Sequence, residues 1–171
     1  VWTGPTGGSM FHPSSTEMMR YIGITWDGAS QASCAYQHDD EAVGGGAYET
    51  QIRHESETFK NFTQTGTYSF LDQNNNPTTG APAAAIITGF PMGGTTADSV
   101  IYNCQFINCT NGFLCGYQIT QIFEWQLDGC EFDNCYVAVN GGSGYTYMIQ
   151  NTHFQGSTYA DFYAGGNYRV R

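Results

Sequence analysis

Apolar and polar residues alternate over short stretches of this chain, and the alternation repeats. In the stretch Cys104–Cys109, the apolar residues Cys104 and Phe106 flank the polar Gln105. The same order of residue types, Cys-x-Phe-x-Asn-Cys, returns 26 residues further along at Cys130–Cys135. A period of two places successive side chains on opposite faces of a β-strand. The pattern therefore predicts short, half-buried strands that recur at a regular interval.

Weaker copies of this motif extend the repeat over most of the chain. An aromatic residue marks each copy, and successive markers are 33, 47, 26 and 22 residues apart. The markers are Trp26, Phe59, Phe106, Phe132 and Phe154. A repeat of this length indicates a solenoid of stacked coils. The two shortest steps correspond to bare coils, and the two longer steps carry insertions.

Residue composition favours a β-solenoid over a helical one. A period of 22 to 26 residues is too short for the common helical-pair repeats, strong helix formers are scarce, and leucine is too rare for leucine-rich repeats. A parallel β-helix remains, in which each coil lays its strands about 4.8 Å from those of the preceding coil. The sequence thus predicts an all-β fold of about five coils, with loop insertions in its first half.

Equivalent residues of successive coils should stack in columns. The repeat offsets place Trp125 over Tyr147 and Phe123 over Tyr145. They also predict an aromatic column, an aliphatic column and an asparagine ladder, made of Phe106, Phe132 and Phe154, of Ile101, Leu127 and Ile149, and of Asn61, Asn108 and Asn134. Stacked amides can hydrogen-bond along the ladder. We expect them to point inward, which would make the glycosylation sequons at Asn61 and Asn108 unavailable.

Four of the six cysteines follow the same offset. Cys104 lies over Cys130, and Cys109 lies over Cys135. Side chains on parallel, in-register strands are close but point the same way, which disfavours disulfide geometry. We therefore expect these four cysteines to be buried thiols that act as small apolar residues.

Length and charge limit the organisation and the partners. The 171 residues suffice for one hydrophobic core, so we expect a single domain over residues 1–171, or a segment of a longer chain. Residues 38–50 and 67–82 are rich in turn-forming residues and account for the long steps. The formal net charge of −10 would repel nucleic acid and anionic membranes, and no apolar run has transmembrane length. We expect no nucleic-acid partner, no membrane insertion and a secreted or cell-surface location.

Several stretches of the sequence together resemble those of a known protein family. They are Tyr21–Gly28, Tyr48–Thr50 with Arg53 and His54, and the Cys-x-Phe-x-Asn-Cys coils. The chain resembles bacterial right-handed β-helix proteins of the pectate lyase-like superfamily over nearly its whole length. The resemblance implies a secreted, right-handed parallel β-helix directed at polysaccharide, by binding or by cleavage.

Enzymes of this architecture use carboxylates on an outer strand face to chelate Ca²⁺ or to act as acid and base. The polygalacturonase motifs and the Arg-rich lyase signature are both missing from the sequence, so we favour a noncatalytic protein; an enzyme would be a polysaccharide lyase or a glycoside hydrolase. The candidate catalytic residues are His54, Glu49, Glu55 and Glu57. The candidate ligands for Ca²⁺, the one cofactor suggested, are Asp39, Asp40 and Glu41. The alternative interpretation of these candidate residues is that they have no catalytic or metal-binding role and simply form a solvated acidic loop beside a polar outer strand.

Aromatic residues in loops could bind sugars, because pyranose faces pack against aromatic rings. Tyr36 and Tyr48 are the candidate substrate-binding residues, and with Tyr68 and Tyr163 they are expected to be exposed.

A second class of function follows from the ends of a β-helix, where strands are unpaired. Val1–Trp2 and Tyr168–Val170 both have strand character, so subunits could stack end to end. The sequence therefore leaves two hypotheses. One is an extracellular polysaccharide-directed protein, and the other is a noncatalytic structural subunit that self-associates into a filament or surface fibre.

Overall fold

The computed structural model describes residues 2–3, 8–11, 13, 17–38, 48–63, 69–71, 77–79, 83–88, 95–115, 124–141, 147–164 and 169–170. These residues form short β-strands and no helix. In this part of the chain, therefore, no helix has the length and apolar character needed to cross a membrane. The strands are β1 (Trp2–Thr3), β2 (Ser9–Phe11), β3 (Arg20–Ile22), β4 (Thr25–Asp27), β5 (Cys34–His38), β6 (Tyr48–Thr50), β7 (Arg53–Glu55), β8 (Thr58–Lys60), β9 (Ser69–Leu71), β10 (Pro77–Thr79), β11 (Ala84–Thr88), β12 (Thr95–Ala97), β13 (Ser99–Tyr102), β14 (Gln105–Ile107), β15 (Asn111–Cys115), β16 (Trp125–Asp128), β17 (Glu131–Asp133), β18 (Val137–Gly141), β19 (Tyr147–Gln150), β20 (His153–Gln155), β21 (Ala160–Ala164) and β22 (Arg169–Val170).

Three six-stranded sheets contain most of these strands, and every pairing within them is parallel. Sheet I consists of β3, β7, β13, β16, β19 and β22, sheet II of β1, β4, β8, β14, β17 and β20, and sheet III of β2, β5, β11, β15, β18 and β21. Each sheet stacks its strands in chain order, as in a β-solenoid.

The chain visits sheets I, II and III in the same order in five complete rounds, which we call coils 1 to 5. They are β3–β4–β5, β7–β8–β11, β13–β14–β15, β16–β17–β18 and β19–β20–β21. The predicted all-β fold with parallel, stacked coils is therefore present.

The predicted side-chain columns are confirmed by the strand register. Sheet II places the five aromatic markers in consecutive pairing, from Trp26 on β4 to Phe154 on β20. Sheet I aligns Leu127 with both Ile101 and Ile149, and pairs Trp125 with Tyr147. The predicted stacking of Phe123 on Tyr145 lies outside the described residues.

Each corner between sheets that falls among the described residues carries a residue with left-handed backbone conformation. Between sheets I and II these are Gly23, Ser56, Asn103, Gly129 and Asn151, and between sheets II and III they include Asn61, Asn108, Asn134 and Gly156. Between sheets III and I they are Met18, Gln51, Asp98 and Glu124. Asparagine and glycine adopt this conformation at the lowest cost. The recurring asparagine of the sequence motif is therefore the residue that turns the chain from sheet II to sheet III.

The asparagine ladder is confirmed for its first step, but it faces outward. The Asn108 Nδ2 group donates to Asn61 Oδ1 over 2.9 Å, and Asn61 Nδ2 donates to Asp27 Oδ1 over 3.0 Å. Asn108 and Asn134 are exposed. The expected inward orientation is wrong, because the corner residue turns away from the interior and the next residue, the buried Cys109, fills it.

All six cysteines are buried and free, which confirms the expectation for the four stacked ones. The Sγ atom of Cys130 lies 3.3 Å from the carbonyl oxygen of Ile101, so the thiol can donate weakly to the coil before it.

The described parts of the predicted insertions contain additional strands. Within residues 67–82, β9 and β10 pair in antiparallel fashion. At the end of residues 38–50, β6 pairs in parallel with β12 outside the three main sheets.

Candidate functional site

A hydrogen-bonded network of five polar side chains is buried in coils 1 and 2. Its members are Trp26, Tyr36, His38, His54 and Glu57. Trp26 is 4% exposed, Glu57 is 1% exposed, and the other three are 0% exposed. The three sheets and one corner all contribute, so the network fills a cross-section of the solenoid.

Strand register explains why His54 and Glu57 point inward. His54 pairs with Ile101 on one side and with Tyr21 on the other, so it occupies the aliphatic column of sheet I. Glu57 follows the last residue of its sheet I strand by two positions, as do the buried Cys104 and Cys130 in coils 3 and 4. Both polar residues therefore stand where later coils place apolar ones.

The Glu57 carboxylate is surrounded by donors. Its Oε1 atom accepts from Trp26 Nε1 over 3.0 Å and from the Tyr36 hydroxyl over 2.9 Å. Its Oε2 atom lies 2.6 Å from His54 Nδ1. Burial, together with the neighbouring Glu57 charge, raises the pKa of Tyr36 well above its ordinary value, which keeps the hydroxyl protonated. These three contacts give both oxygens of the buried carboxyl group a hydrogen-bond partner.

The tautomers of the two histidines follow from these contacts. Burial lowers the pKa of His54 to about 4, against the opposing effect of its hydrogen bond to Glu57. Neutral His54 donates from Nδ1 to Glu57, which leaves Nε2 as an acceptor. The Nε2 atom of His38 lies 2.9 Å away and donates to it.

The predicted catalytic residues occupy different environments. His54 and Glu57 were expected on a polar outer strand, and this is wrong because the register turns both into the core. Glu55 alternates with the inward His54 but is only 7% exposed; it is paired with Arg20 and Arg53, and the hydrogen bond from Arg20 lowers its pKa. The backbone of Glu49 belongs to β6, and its side chain is outside the described residues. The three described side chains, His54, Glu55 and Glu57, therefore do not form one exposed cluster.

The predicted Ca²⁺ ligands Asp39, Asp40 and Glu41 lie outside the described residues, so that site remains a prediction. Within the described part of the chain, no group of three or more His, Cys, Asp or Glu side chains could hold a metal ion.

The predicted sugar-binding tyrosines also differ. Tyr36 was expected to be exposed and is wholly buried, because it pairs with Ile86 in the inward column of sheet III and its hydroxyl reaches Glu57. Tyr163 is 54% exposed, as predicted. Tyr68 and the side chain of Tyr48 lie outside the described residues.

An exposed tyrosine cluster lies on coils 4 and 5. Tyr136, Tyr159 and Tyr163 are 51%, 62% and 54% exposed. The rings of Tyr136 and Tyr159 stack with centroids 5.3 Å apart and planes 20° apart, and Tyr163 lies 6.3 Å from Tyr159. Tyr136 and Tyr159 each precede a strand of sheet III, and the amide of Tyr159 donates to the carbonyl of Tyr136 over 3.0 Å. Sequence reasoning missed both, although each follows a corner residue of the repeat.

Tyr136 and Tyr159 lie at the corner between sheets II and III. In the earlier coils this corner carries uncharged polar side chains. Thr63 Oγ1 donates to Ser30 Oγ over 2.8 Å, and Thr110 precedes β15 as Tyr136 precedes β18. We call the line formed by these residues and the asparagine ladder the corner strip, which consists of Ser30, Asn61, Thr63, Asn108, Thr110, Asn134, Tyr136 and Tyr159. It runs along the solenoid from coil 1 to coil 5 and presents amides, hydroxyls and aromatic rings.

A recess of about 250 Å³ lies at the corner between sheets I and II. Its lining is mainly polar and includes Ser56, Thr58, Asn103, Gln105 and Glu131. Within this lining, Gln105 Nε2 donates to Glu131 Oε2 over 3.1 Å.

Comparisons with protein-family models, with curated proteins and with solved structures found no match. The function is therefore argued from the geometry of the chain.

Proposed function

We propose that the chain is a right-handed parallel β-helix of pectate lyase-like type that acts outside the cell or at its surface by binding polysaccharide along the corner strip. The observation that carries the proposal is the stacked pair of exposed rings, Tyr136 and Tyr159.

Two exposed aromatic rings that stack on each other form a contiguous apolar patch, and such patches are typical of binding surfaces. Tyrosine suits a sugar partner, because its ring packs against C–H groups and its hydroxyl can exchange hydrogen bonds with sugar hydroxyls. Tyr163 extends the cluster on the same coil as Tyr159, so more than one sugar ring could be in contact with it.

The chemistry of the corner strip favours a neutral polymer. Its side chains are amides, hydroxyls and phenols, which donate and accept without charge. The net charge of −10 would repel a polyuronate unless cations bridged the two. Because equivalent residues recur about every 4.8 Å along the stack, a linear glycan lying parallel to the solenoid axis would meet similar groups at each coil.

Burial of the candidate catalytic pair supports binding over cleavage. His54 and Glu57 are enclosed in the core, so neither touches a polymer bound on the surface. Glu55 is only 7% exposed and is engaged by two arginines.

The test is affinity electrophoresis in gels that contain single neutral or acidic polysaccharides. We expect wild-type protein to be retarded by at least one neutral polysaccharide, and Tyr136→Ala with Tyr159→Ala to weaken binding on the order of tenfold or more. The matched control is Tyr102→Ala, since Tyr102 is 43% exposed on sheet I, away from the corner strip. Absence of retardation by every polysaccharide, or equal loss in the control, would contradict the proposal. Release of reducing ends or unsaturated products would show cleavage instead.

A different observation favours the alternative of a structural subunit that self-associates. Among the described residues, β3 is an end strand of sheet I. Several apolar side chains on or beside it are exposed, namely Phe11, Met18, Met19, Ile22 and Ile24, with values from 37% for Ile24 to 76% for Met18. A second copy could pair with this edge and cover these side chains. Sedimentation should then show concentration-dependent assembly that Ile22→Lys abolishes, whereas monomers at all concentrations would exclude this function.

A further inference from the structure

The contact between His38 and His54 is buried inside the solenoid, away from the corner strip. The two Nε2 atoms are 2.9 Å apart, and the rings cross at 69°. Glycan binding on the surface makes no use of this contact. A pair of imidazoles enclosed with a carboxylate is a costly feature for a core.

Most of the network joins coil 1 to coil 2. Trp26 and Tyr36 belong to coil 1 and donate to Glu57 of coil 2. His38 of coil 1 donates to His54 of coil 2. These three hydrogen bonds therefore cross between the two coils, and the bond from His54 to Glu57 orients the two acceptors.

The hydrogen bonds between coils 1 and 2 depend on the protonation of His54 and Glu57, the two acceptors in coil 2. If His54 takes up a proton at Nε2, that atom becomes a donor and faces the N–H group of His38. Unless His38 moves its own proton, the contact becomes repulsive. If Glu57 takes up a proton instead, it has three donors around it and its own hydrogen lacks an acceptor. One added proton thus weakens the contacts between the coils.

The titratable groups that face this pair come from all the neighbouring elements. Tyr21 of β3 stacks on His54 with centroids 5.1 Å apart, and Tyr36 of β5 contacts both histidines. Cys104 of coil 3 lies beside Glu57, and burial raises its pKa well above the ordinary value. Tyrosine and a buried thiol stay neutral below pH 7. These neighbouring groups already carry their protons, so in mild acid they do not compete with His54 for an added one.

We propose that the His38–His54–Glu57 network is an acid-sensitive latch: it holds coil 1 on coil 2 near neutral pH, and protonation of His54 releases coil 1 while coils 3 to 5 remain folded. The later coils carry Ile101 and Cys104 at the positions of His54 and Glu57, so their packing has no such dependence.

The test is amide hydrogen exchange of the intact protein, measured by mass spectrometry at about pH 7 and about pH 4.5, with rates corrected for the intrinsic effect of pH. We expect peptides from residues 20–38 to lose protection at least tenfold relative to peptides from residues 99–115. His38→Gln should keep its protection in acid, because the amide can donate to neutral His54 and can turn to accept from protonated His54.

His153→Gln is the matched control, since His153 is exposed on sheet II and should leave the acid response unchanged. Equal loss of protection in both groups of peptides, or full protection of residues 20–38 at about pH 4.5, would overturn the proposal. If His38→Gln does not fold, wild type and the control still decide between these outcomes. If it folds and opens in acid like wild type, the role assigned to the histidine contact is wrong.

Discussion

The rings of Phe106 and Phe132 lie 4.5 Å apart with planes within 5° of parallel, although 26 residues separate them in the chain. The same stacking continues to Phe59 at 5.0 Å and to Phe154 at 5.3 Å. One aromatic residue per coil, at the same place in each, therefore forms a continuous column through coils 2 to 5. Packing between coils depends on this column.

Truncation within the column should be costly. We expect Phe132→Ala to lower the free energy of unfolding by about 3–5 kcal/mol, because its ring is wholly buried between two others and a cavity would remain. Phe154→Ala should cost less, since Phe154 is only partly buried in the last coil of the column. Urea denaturation monitored by circular dichroism measures both. Equal small losses for the two variants would show that the column does not carry this packing energy.

Substitution of two glycines, Gly112 and Gly129, should affect stability differently. A Cβ atom on Gly112 would lie 2.6 Å from the carbonyl oxygen of Ala138 and from the Phe132 ring, so Gly112→Ala should destabilise the protein by roughly 1–3 kcal/mol. Gly129 has a φ of +67°, a Cβ atom on it would meet only the Asn103 backbone at 3.9 Å, and the equivalent corner residues are Asn103 and Asn151. Gly129→Asn should therefore leave the melting temperature nearly unchanged. The reverse order of stability would contradict the assigned register.

The thiols should be unreactive in the folded protein. Burial raises the pKa of Cys130 to about 12 and raises that of Cys104 further, so little thiolate forms near neutral pH. We expect an aromatic disulfide reagent to titrate six thiols after denaturation without reductant and almost none before it. Fewer than six thiols in the denatured protein would reveal a disulfide that this structure does not contain.

Stability should fall in mild acid. The pKa of His54 is lowered to about 4, whereas the unfolded chain takes up the proton near 6.5. The unfolded state therefore binds more protons between these values, and stability is lost as pH falls through that window and is fully present above it. The expected loss is roughly 3 kcal/mol. Urea midpoints measured from pH 7.5 to pH 4 test this, and a flat profile would contradict it.

Removing the charge of Glu57 should destabilise the core at neutral pH. In Glu57→Gln, the amide N–H₂ group must face either His54 Nδ1 or the donors Trp26 and Tyr36, so at least one buried donor loses its acceptor. We expect a loss of about 3 kcal/mol in urea denaturation. Glu131→Gln is the control, because Glu131 lies on the outer face of sheet II. A loss in the control as large as in Glu57→Gln would rule out a specific role for the buried carboxylate.

The columns of sheets I and II could be predicted from sequence because the same residue types recur at fixed offsets. The position of His54 could not be recognised so easily. The 47-residue step from Phe59 to Phe106 also maps His54 onto Ile101 and Glu57 onto Cys104, which gives both an inward direction. Their ionisable side chains suggested the surface instead, because burial of such groups is rare without partners.

Two of those partners, Tyr36 and His38, come from sheet III, where the sequence offers little guidance. Tyr36 and His38 pair with Ile86 and Thr88 across an insertion of variable length, so no repeated identity marks the register. The outward-facing Tyr136 and Tyr159 were missed for a related reason. The step between them is 23 residues, one more than the step between the aromatic markers Phe132 and Phe154, so a fixed offset does not align them.

The measurement that tests the stacking most directly is a nuclear Overhauser spectrum of protein labelled only in its phenylalanine rings. The account predicts strong ring-to-ring contacts for Phe59 with Phe106, Phe106 with Phe132, and Phe132 with Phe154, and none between Phe59 and Phe132. Lack of the contact between Phe106 and Phe132 in a folded sample would contradict the stacking of coils, and with it the sites built on that register.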